Sequence, residues 1–209
     1  MRPGQALRLA TRDLYENSWR LAPINAAIGL VLVAAGFAAV GARAALLLVV
    51  AAGPVAAGLV HSAVVLVHTG NVTLGDAVEG VRLHWRRGLA LGAGGTALLF
   101  LGVLAIRFYL RFQFGLPLAF LTVYVLVMLG IYQGVLWTLA IAEPERRLRQ
   151  LAVDAAAFGA ARPGATLLLG LALLLVNLVG IAAALLPFLT LTVAYSFVAV
   201  AHFTLEEPS

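Results

Sequence analysis

The sequence predicts an all-α fold: a polytopic membrane helix bundle of about six transmembrane helices with cytoplasmic amphipathic helices. Of its 209 residues, 63% are hydrophobic and 11% are charged, whereas a soluble domain has about 45–50% apolar and about 25% charged residues. The apolar residues form runs long enough to span a bilayer, and these runs lack the alternation of a barrel strand. The composition excludes soluble enzymes, nucleic-acid-binding proteins and disordered chains.

The first segment, residues 1–20, is predicted to be an amphipathic helix on the cytoplasmic side. Leu7, Leu14 and Leu21 follow one another at seven-residue intervals, while arginine and acidic residues occupy the other side. Trp19 lies where an interfacial anchor is expected. Such a helix can lie in the headgroup layer, or it can simply lead into the first span. It has no apolar core typical of a cleaved signal peptide.

Six apolar segments follow, and each is predicted to cross the membrane. Their approximate bounds are 21–40, 44–68, 88–106, 116–142, 163–186 and 187–203. Backbone polar groups in hydrocarbon need partners within the segment, so these runs are expected to be helices. Two polar segments between them, 69–87 and 143–162, are predicted to be surface-lying helices, and residues 204–209 form an acidic tail.

The charged residues predict the orientation in the membrane. All 14 basic residues apart from histidine are arginines. With the predicted spans, eleven of them and all nine acidic residues fall on one side of the membrane. Cytoplasmic loops are enriched in basic residues. We therefore expect a multi-pass protein of the bacterial cytoplasmic (inner) membrane with both termini in the cytoplasm.

Gly53 and Pro54 interrupt the second predicted span. A proline inside a helix removes one backbone hydrogen bond and displaces the carbonyl four residues earlier. Transporters use broken helices of this kind at binding sites, but kinks with a purely structural role are also common. Both interpretations stay open from the sequence.

Polar side chains within the predicted spans are few. His61 and His68 are seven residues apart and share a helix face, but only His61 lies well inside the span. Asn177 lies near the middle of the fifth span, and amides there commonly hydrogen-bond between helices. Both His61 and Asn177 are candidate functional positions, with packing as the alternative. The sequence predicts no catalytic residue, no metal site and no cofactor, and it contains no cysteine.

Two further patterns allow two interpretations each. Ala35 and Ala39 form a small-residue stripe that suits either internal helix packing or docking to a partner. The segment from Glu79 to Leu98 is weakly similar to the segment 75 residues later, which indicates either a parallel internal repeat or shared composition alone.

The run from Gly53 to Leu59, the charged stretch ending in Trp85-Arg86-Arg87 and the Arg162-Pro163 junction together resemble the YesL-like family of bacterial membrane proteins, a domain of unknown function. The resemblance covers nearly the whole chain, with one departure: Ala56 stands where the family has a hydroxyl residue. It implies an accessory role near carbohydrate uptake systems and carries over no catalytic residues.

The predicted function is therefore that of a transport-associated or accessory membrane component without its own energy-coupling domain. The alternative is a small-molecule-binding membrane subunit of an importer, similar to the substrate components of energy-coupling-factor systems. An enzyme is disfavoured, because acid–base and nucleophile sets are missing from the spans. The expected partners are the lipid bilayer and either another membrane protein or a second copy of the chain, and no nucleic acid.

Overall fold

The computed structural model describes residues 1–41, 50, 52–183 and 187–205, and all regular structure within these residues is helical. The side chains of the Ala35 and Ala39 stripe, the first part of the second predicted span and residues 206–209 of the tail lie outside the description. The helices in chain order are α1 (Pro3–Gly41), α2 (Gly53–Thr69), α3 (Leu74–Tyr109), α4 (Leu116–Ala142), α5 (Leu148–Ala161), α6 (Pro163–Ala182), a π-helical turn (Phe188–Thr192) and α7 (Val193–Leu205).

Three of the described helices, α3, α4 and α6, are long and apolar enough to cross a membrane. Two shorter apolar helices are Gly53–Thr69 and Thr190–Leu205. The prediction of an all-α membrane bundle is confirmed at this level. The number of six spans stays a prediction.

Helix α1 joins the predicted surface segment and the first predicted span into one element of 39 residues, about 58 Å long. No helix end occurs near residue 20, and Pro23 lies inside the helix. Ala6, Ala10 and Asp13 in its first part are buried in the protein. Of the predicted apolar face, Leu21 is buried and Leu7 and Leu14 pack against the core, whereas Trp19 is exposed.

Helices α2 and α3 form a hairpin around the turn at residues 70–73. Gly70 has a φ of 72°, the left-handed conformation common just after a helix. Thr73 and Asp76 then start α3 with a capping box: Thr73 Oγ1 accepts from Asp76 N at 3.3 Å, and Asp76 Oδ2 accepts from Thr73 N at 2.7 Å.

Residues 74–87 of the predicted polar segment are thus the first part of a continuous α3. The face with small residues packs on α2, since a Cβ at Gly58 would lie 2.6 Å from Ala77 O and 2.7 Å from Val81 Cγ2. The large apolar side chains Val78, Leu83 and Trp85 are exposed, so packing on α2 does not account for them.

The described helices divide into a packed half and an open half. The packed half is α1, α2 and α7: nine of the 17 residues of α2 and seven of the 13 residues of α7 are buried. The open half is α4, α6 and residues 95–109 of α3. Only five of the 20 residues of α6 are buried, and the rest of that half presents large apolar side chains to the surroundings.

Candidate functional site

Gly53 and Pro54 lie at the start of α2, where the helix touches α3. A Cβ on Gly53 would lie 2.3 Å from Gly88 O, and one on Gly88 would lie 2.7 Å from Gly53 O. Only glycine allows the two backbones to approach this closely. Pro54 occupies the first turn of α2, where its missing N–H would have no helical partner in any case. Both residues thus have a local structural role.

His61 meets a histidine that sequence reasoning did not connect with it. The rings of His61 on α2 and His84 on α3 have their centroids 5.4 Å apart and are tilted by 41°. Gly80 provides the space, because a Cβ there would lie 2.5 Å from His61 Cβ. His68, on the same helix as His61, bonds through Nδ1 to Val64 O at 2.8 Å. Within the described part of the chain, no three metal-ligating side chains lie together.

Asn177 connects α6 to α7. Its Nδ2 donates to Leu173 O at 2.8 Å and to Ser196 Oγ at 2.7 Å, and Ser196 Oγ donates to Thr192 O at 2.8 Å. Asn177 and Ser196 line a cavity of about 530 Å³. The structure therefore separates the predicted site residues: Gly53, Pro54 and His61 lie along the α2–α3 contact, whereas Asn177 lies in the open half.

This cavity, named the groove below, is bounded by α4, α6 and α7 and by Leu99 of α3. Its walls are apolar except for Gln133, Asn177 and Ser196. Gln133 Oε1 is buried and has no hydrogen-bond partner among the described residues. The groove has a volume within the usual range of small-molecule sites.

The strongest buried polar contact joins the two ends of the chain. His202 Nε2 on α7 donates to Asp13 Oδ2 on α1 at 2.7 Å, and both side chains are buried, with 4% and 6% of their surface exposed. Arg12, which is largely exposed, bonds the other carboxylate oxygen, and Asn17 Nδ2 donates to Asp13 O. The two residues are 189 positions apart in the sequence, so no local pattern predicts this pair.

Asn25 makes a second link between the same helices. Its Oδ1 accepts from Ala194 N at 2.5 Å, just after the π-helical turn gives way to α7. A change of helical register disturbs the regular backbone bonding, and a fully buried amide supplies an acceptor there. Because Asn25 and Ala194 are 169 residues apart, no local sequence pattern indicates this partner.

Arg87 reaches from α3 to the end of α4. Its Nη1 donates to Ala140 O at 2.7 Å and Glu143 O at 3.3 Å, while Nη2 donates to Arg146 O at 2.7 Å and to Pro144 O. The last carbonyls of a helix lack helical partners and carry partial negative charge. One guanidinium therefore ends α4 and holds the following turn.

The comparisons with known proteins add no relative: no protein-family model, no curated protein and no solved structure matches this chain.

Proposed function

We propose that the chain is an accessory membrane component of the YesL-like type, held in the bacterial cytoplasmic membrane by six spans with both termini inside. It works without an energy-coupling domain of its own, and its charged end receives an acidic segment of a transport protein. One observation carries this proposal: arginine side chains fix α1 to the α2–α3 turn, α3 to the end of α4, and the α4–α5 turn to α5.

Three contacts support this. Arg87 of α3 holds the end of α4, as described above. Arg20 of α1 donates to Val72 O at 3.1 Å and to Asn71 Oδ1, so α1 is tied to the α2–α3 turn. Arg146 bonds Glu143 at 2.8 Å and also Asp154 of α5, and these hydrogen bonds, from Glu143 first, raise the pKa of Arg146. We name the surface around Arg20, Arg87 and Arg146 the charged end.

The charged end presents exposed residues of both signs: Arg82, Arg86, Arg147 and Arg149 are exposed, and so are Glu79 and Glu145. Exposed charges fixed on a rigid surface favour recognition of a partner of opposite charge and speed its association. The exposed pair Arg147 and Arg149 supports an acidic protein segment as the occupant at that point of the surface. The importer-subunit alternative calls for a pocket near the outer face between the first and last spans. α1 and α7 contact each other through Asp13–His202 and Asn25–Ala194, while the predicted outer connections at 42–49 and 184–186 lie outside the described residues.

Charge reversal at the two ends of the bundle tests the proposal. We would purify tagged protein from cross-linked native membranes and compare R147E/R149E with R107E/R111E, a matched change at exposed residues on the other predicted side. We expect one transport protein at constant stoichiometry with the wild type and R107E/R111E, and at least a tenfold loss with R147E/R149E (about 1.4 kcal/mol). Equal recovery from both variants, or recovery that follows anionic lipid alone, would contradict the proposal.

Single cysteines test the predicted topology. The chain contains no cysteine, so Q150C in α5 and Q113C in the α3–α4 turn can be labelled without background. Both positions are exposed. We expect an impermeant maleimide to label Q113C in intact cells and Q150C only after permeabilisation. The opposite result would reverse the orientation, and labelling of both in intact cells would contradict the span assignment.

A further inference from the structure

The groove is long and narrow. On α4 it runs from Val123 to Trp137, a distance of about 21 Å along the helix axis. Its volume is about 530 Å³. A volume of that size spread over that length corresponds to a channel about as wide as a single hydrocarbon chain. Its walls are formed mainly by Val, Leu, Ile, Phe and Gly residues.

Gly130 of α4 borders open space in the groove. The residue is exposed, and a Cβ there would meet no atom within 4 Å. The neighbouring glycines differ: a Cβ on Gly170 would lie 2.8 Å from Ile131 Cγ1, and one on Gly134 would lie 3.3 Å from Val200. Gly134 and Gly170 therefore bring the helices together, whereas Gly130 faces empty space.

Asn177 and its partner Ser196 lie together in the groove, whereas the third polar side chain, Gln133, lies between Ile131 and Trp137 on α4. The end of α4 and the start of α6 both lie at the charged end, because Arg87 binds the turn after α4 and α5 leads directly into α6. The two helices are therefore antiparallel. Asn177 lies about 10 Å beyond Gly170 along α6, and Trp137 lies about 9 Å beyond Ile131 along α4, in opposite directions. Asn177 and Trp137 thus mark opposite ends.

The Asn177 end offers a hydrogen-bond acceptor. The two bonds from Asn177 Nδ2, to Leu173 O and Ser196 Oγ, fix the orientation of the amide. Its Oδ1 has no partner among the described residues and is available to a ligand donor. A donor is favoured there, because an acceptor in an apolar site gains more from a hydrogen bond than it does in water.

We propose that the groove binds one single-chain amphiphile from the bilayer, with a hydroxyl group at Asn177 Oδ1 and its hydrocarbon chain running towards Trp137. The bilayer is the source because the groove opens between apolar faces of the open half, where Leu99, Val123 and Leu174 are exposed. The chain would cover apolar walls, and the hydroxyl would use the free acceptor. This inference does not depend on the partner proposed for the charged end.

Trp137 is a built-in reporter of occupancy. The chain has three tryptophans, and Trp19 and Trp85 are exposed whereas Trp137 lines the groove. We would titrate the W19F/W85F protein in nanodiscs with long-chain fatty alcohols that carry bromine either at the methyl end or next to the hydroxyl. We expect saturable quenching of Trp137, and stronger quenching by the methyl-end bromine.

Two glycine variants separate groove binding from general partitioning into lipid. G130L fills the groove, whereas G94L adds the same side chain on α3 at an exposed glycine that also meets nothing within 4 Å. We expect G130L to weaken the apparent affinity at least tenfold and G94L to leave it unchanged. A bromoalkane without the hydroxyl should bind more weakly than the alcohol.

Several results would overturn this proposal. They are unsaturable quenching, equal quenching in G130L and G94L, equal affinity of alkane and alcohol, and a change of oligomeric state in G130L with no alcohol bound by the wild type. The last result would assign the groove to a second copy of the chain. If W19F/W85F does not fold, mass spectrometry of lipids that co-purify with the wild type, G94L and G130L gives the same comparison.

Discussion

The α2–α3 contact and the Gly130 position of α4 use glycine for opposite purposes, although Gly134 and Gly170 of the open half also bring helices together. At the start of α2, Gly53 and Gly88 bring two backbones into contact, and a Cβ on either residue would lie within 2.7 Å of a carbonyl oxygen. On α4, Gly130 has nothing within 4 Å of its missing Cβ and leaves a groove. Small residues permit close approach of helices in a membrane, but the facing helix decides whether they produce contact or space.

The largest expected effect comes from adding a side chain at the close contact between α2 and α3. G88L places a side chain where backbone atoms of Gly53 and Pro54 lie within 3.0 Å, and backbone cannot move aside as a flexible side chain can. We expect G88L to lose about 3 kcal/mol or more of unfolding free energy, measured by thermal unfolding in detergent and by the monodisperse fraction. G130L serves as the control and should be as stable as the wild type. Similar losses in both variants would remove the distinction between the two halves.

A second prediction concerns the buried Asp13–His202 pair of the packed half. H202A leaves the Asp13 carboxylate, 5% exposed, without this donor, and removing one partner of a buried pair costs about 3 kcal/mol. The double variant D13L/H202L should recover most of that loss, because apolar replacement of both partners is nearly neutral. If D13L/H202L lost as much unfolding free energy as the two single substitutions together, the loss in H202A would not come from breaking the Asp13–His202 pair.

A third prediction concerns the contact between α3 and α4, where Arg87 of α3 donates to carbonyl groups at the end of α4. R87L removes the donors to the carbonyls of Ala140, Glu143 and Arg146. Since bonds from a charged donor are worth about 1.5–3 kcal/mol and Arg87 is only partly buried, we expect a loss of about 1.5 kcal/mol. Its exposed neighbour gives the control R86L, which should lose much less. Hydrogen exchange should show faster opening at the end of α4 in R87L alone.

The smallest expected effect concerns Gln133 in the open half. Its Oε1 is buried without a described partner, so Q133L removes an unpaired polar atom and should leave the unfolding free energy unchanged or raise it by up to about 1 kcal/mol. N177L makes the same kind of change at an amide that donates to Ser196, and it should lower the unfolding free energy by about 1 kcal/mol. A clear loss of stability in Q133L would indicate a bound partner for its amide.

Part of the candidate site followed from the sequence, and part did not. The sequence predicts a break in an apolar run at Gly53 and Pro54, and the structure places both residues at the start of α2 against Gly88. It also indicates His61 as a candidate position. It does not predict the contact of His61 with His84, because the two residues meet only through the α2–α3 hairpin. Arg87 was read as one charge in an orientation count, although its geometry makes it the donor that ends α4.

The sequence by itself determined the helical membrane character, because long apolar runs in hydrocarbon must satisfy their backbone groups within each helix. It also predicts that charge is segregated to one side of the expected spans, since ionised groups are costly inside a bilayer. Only the tertiary structure decided which surfaces meet. The packing of α3 on α2 occurs at Gly58, Gly80 and Gly88, and the spacing of the large apolar residues of α3 could not predict it. The Asp13–His202 pair and the groove also depend on helices distant in sequence, because a contact or a space between two helices belongs to neither sequence alone.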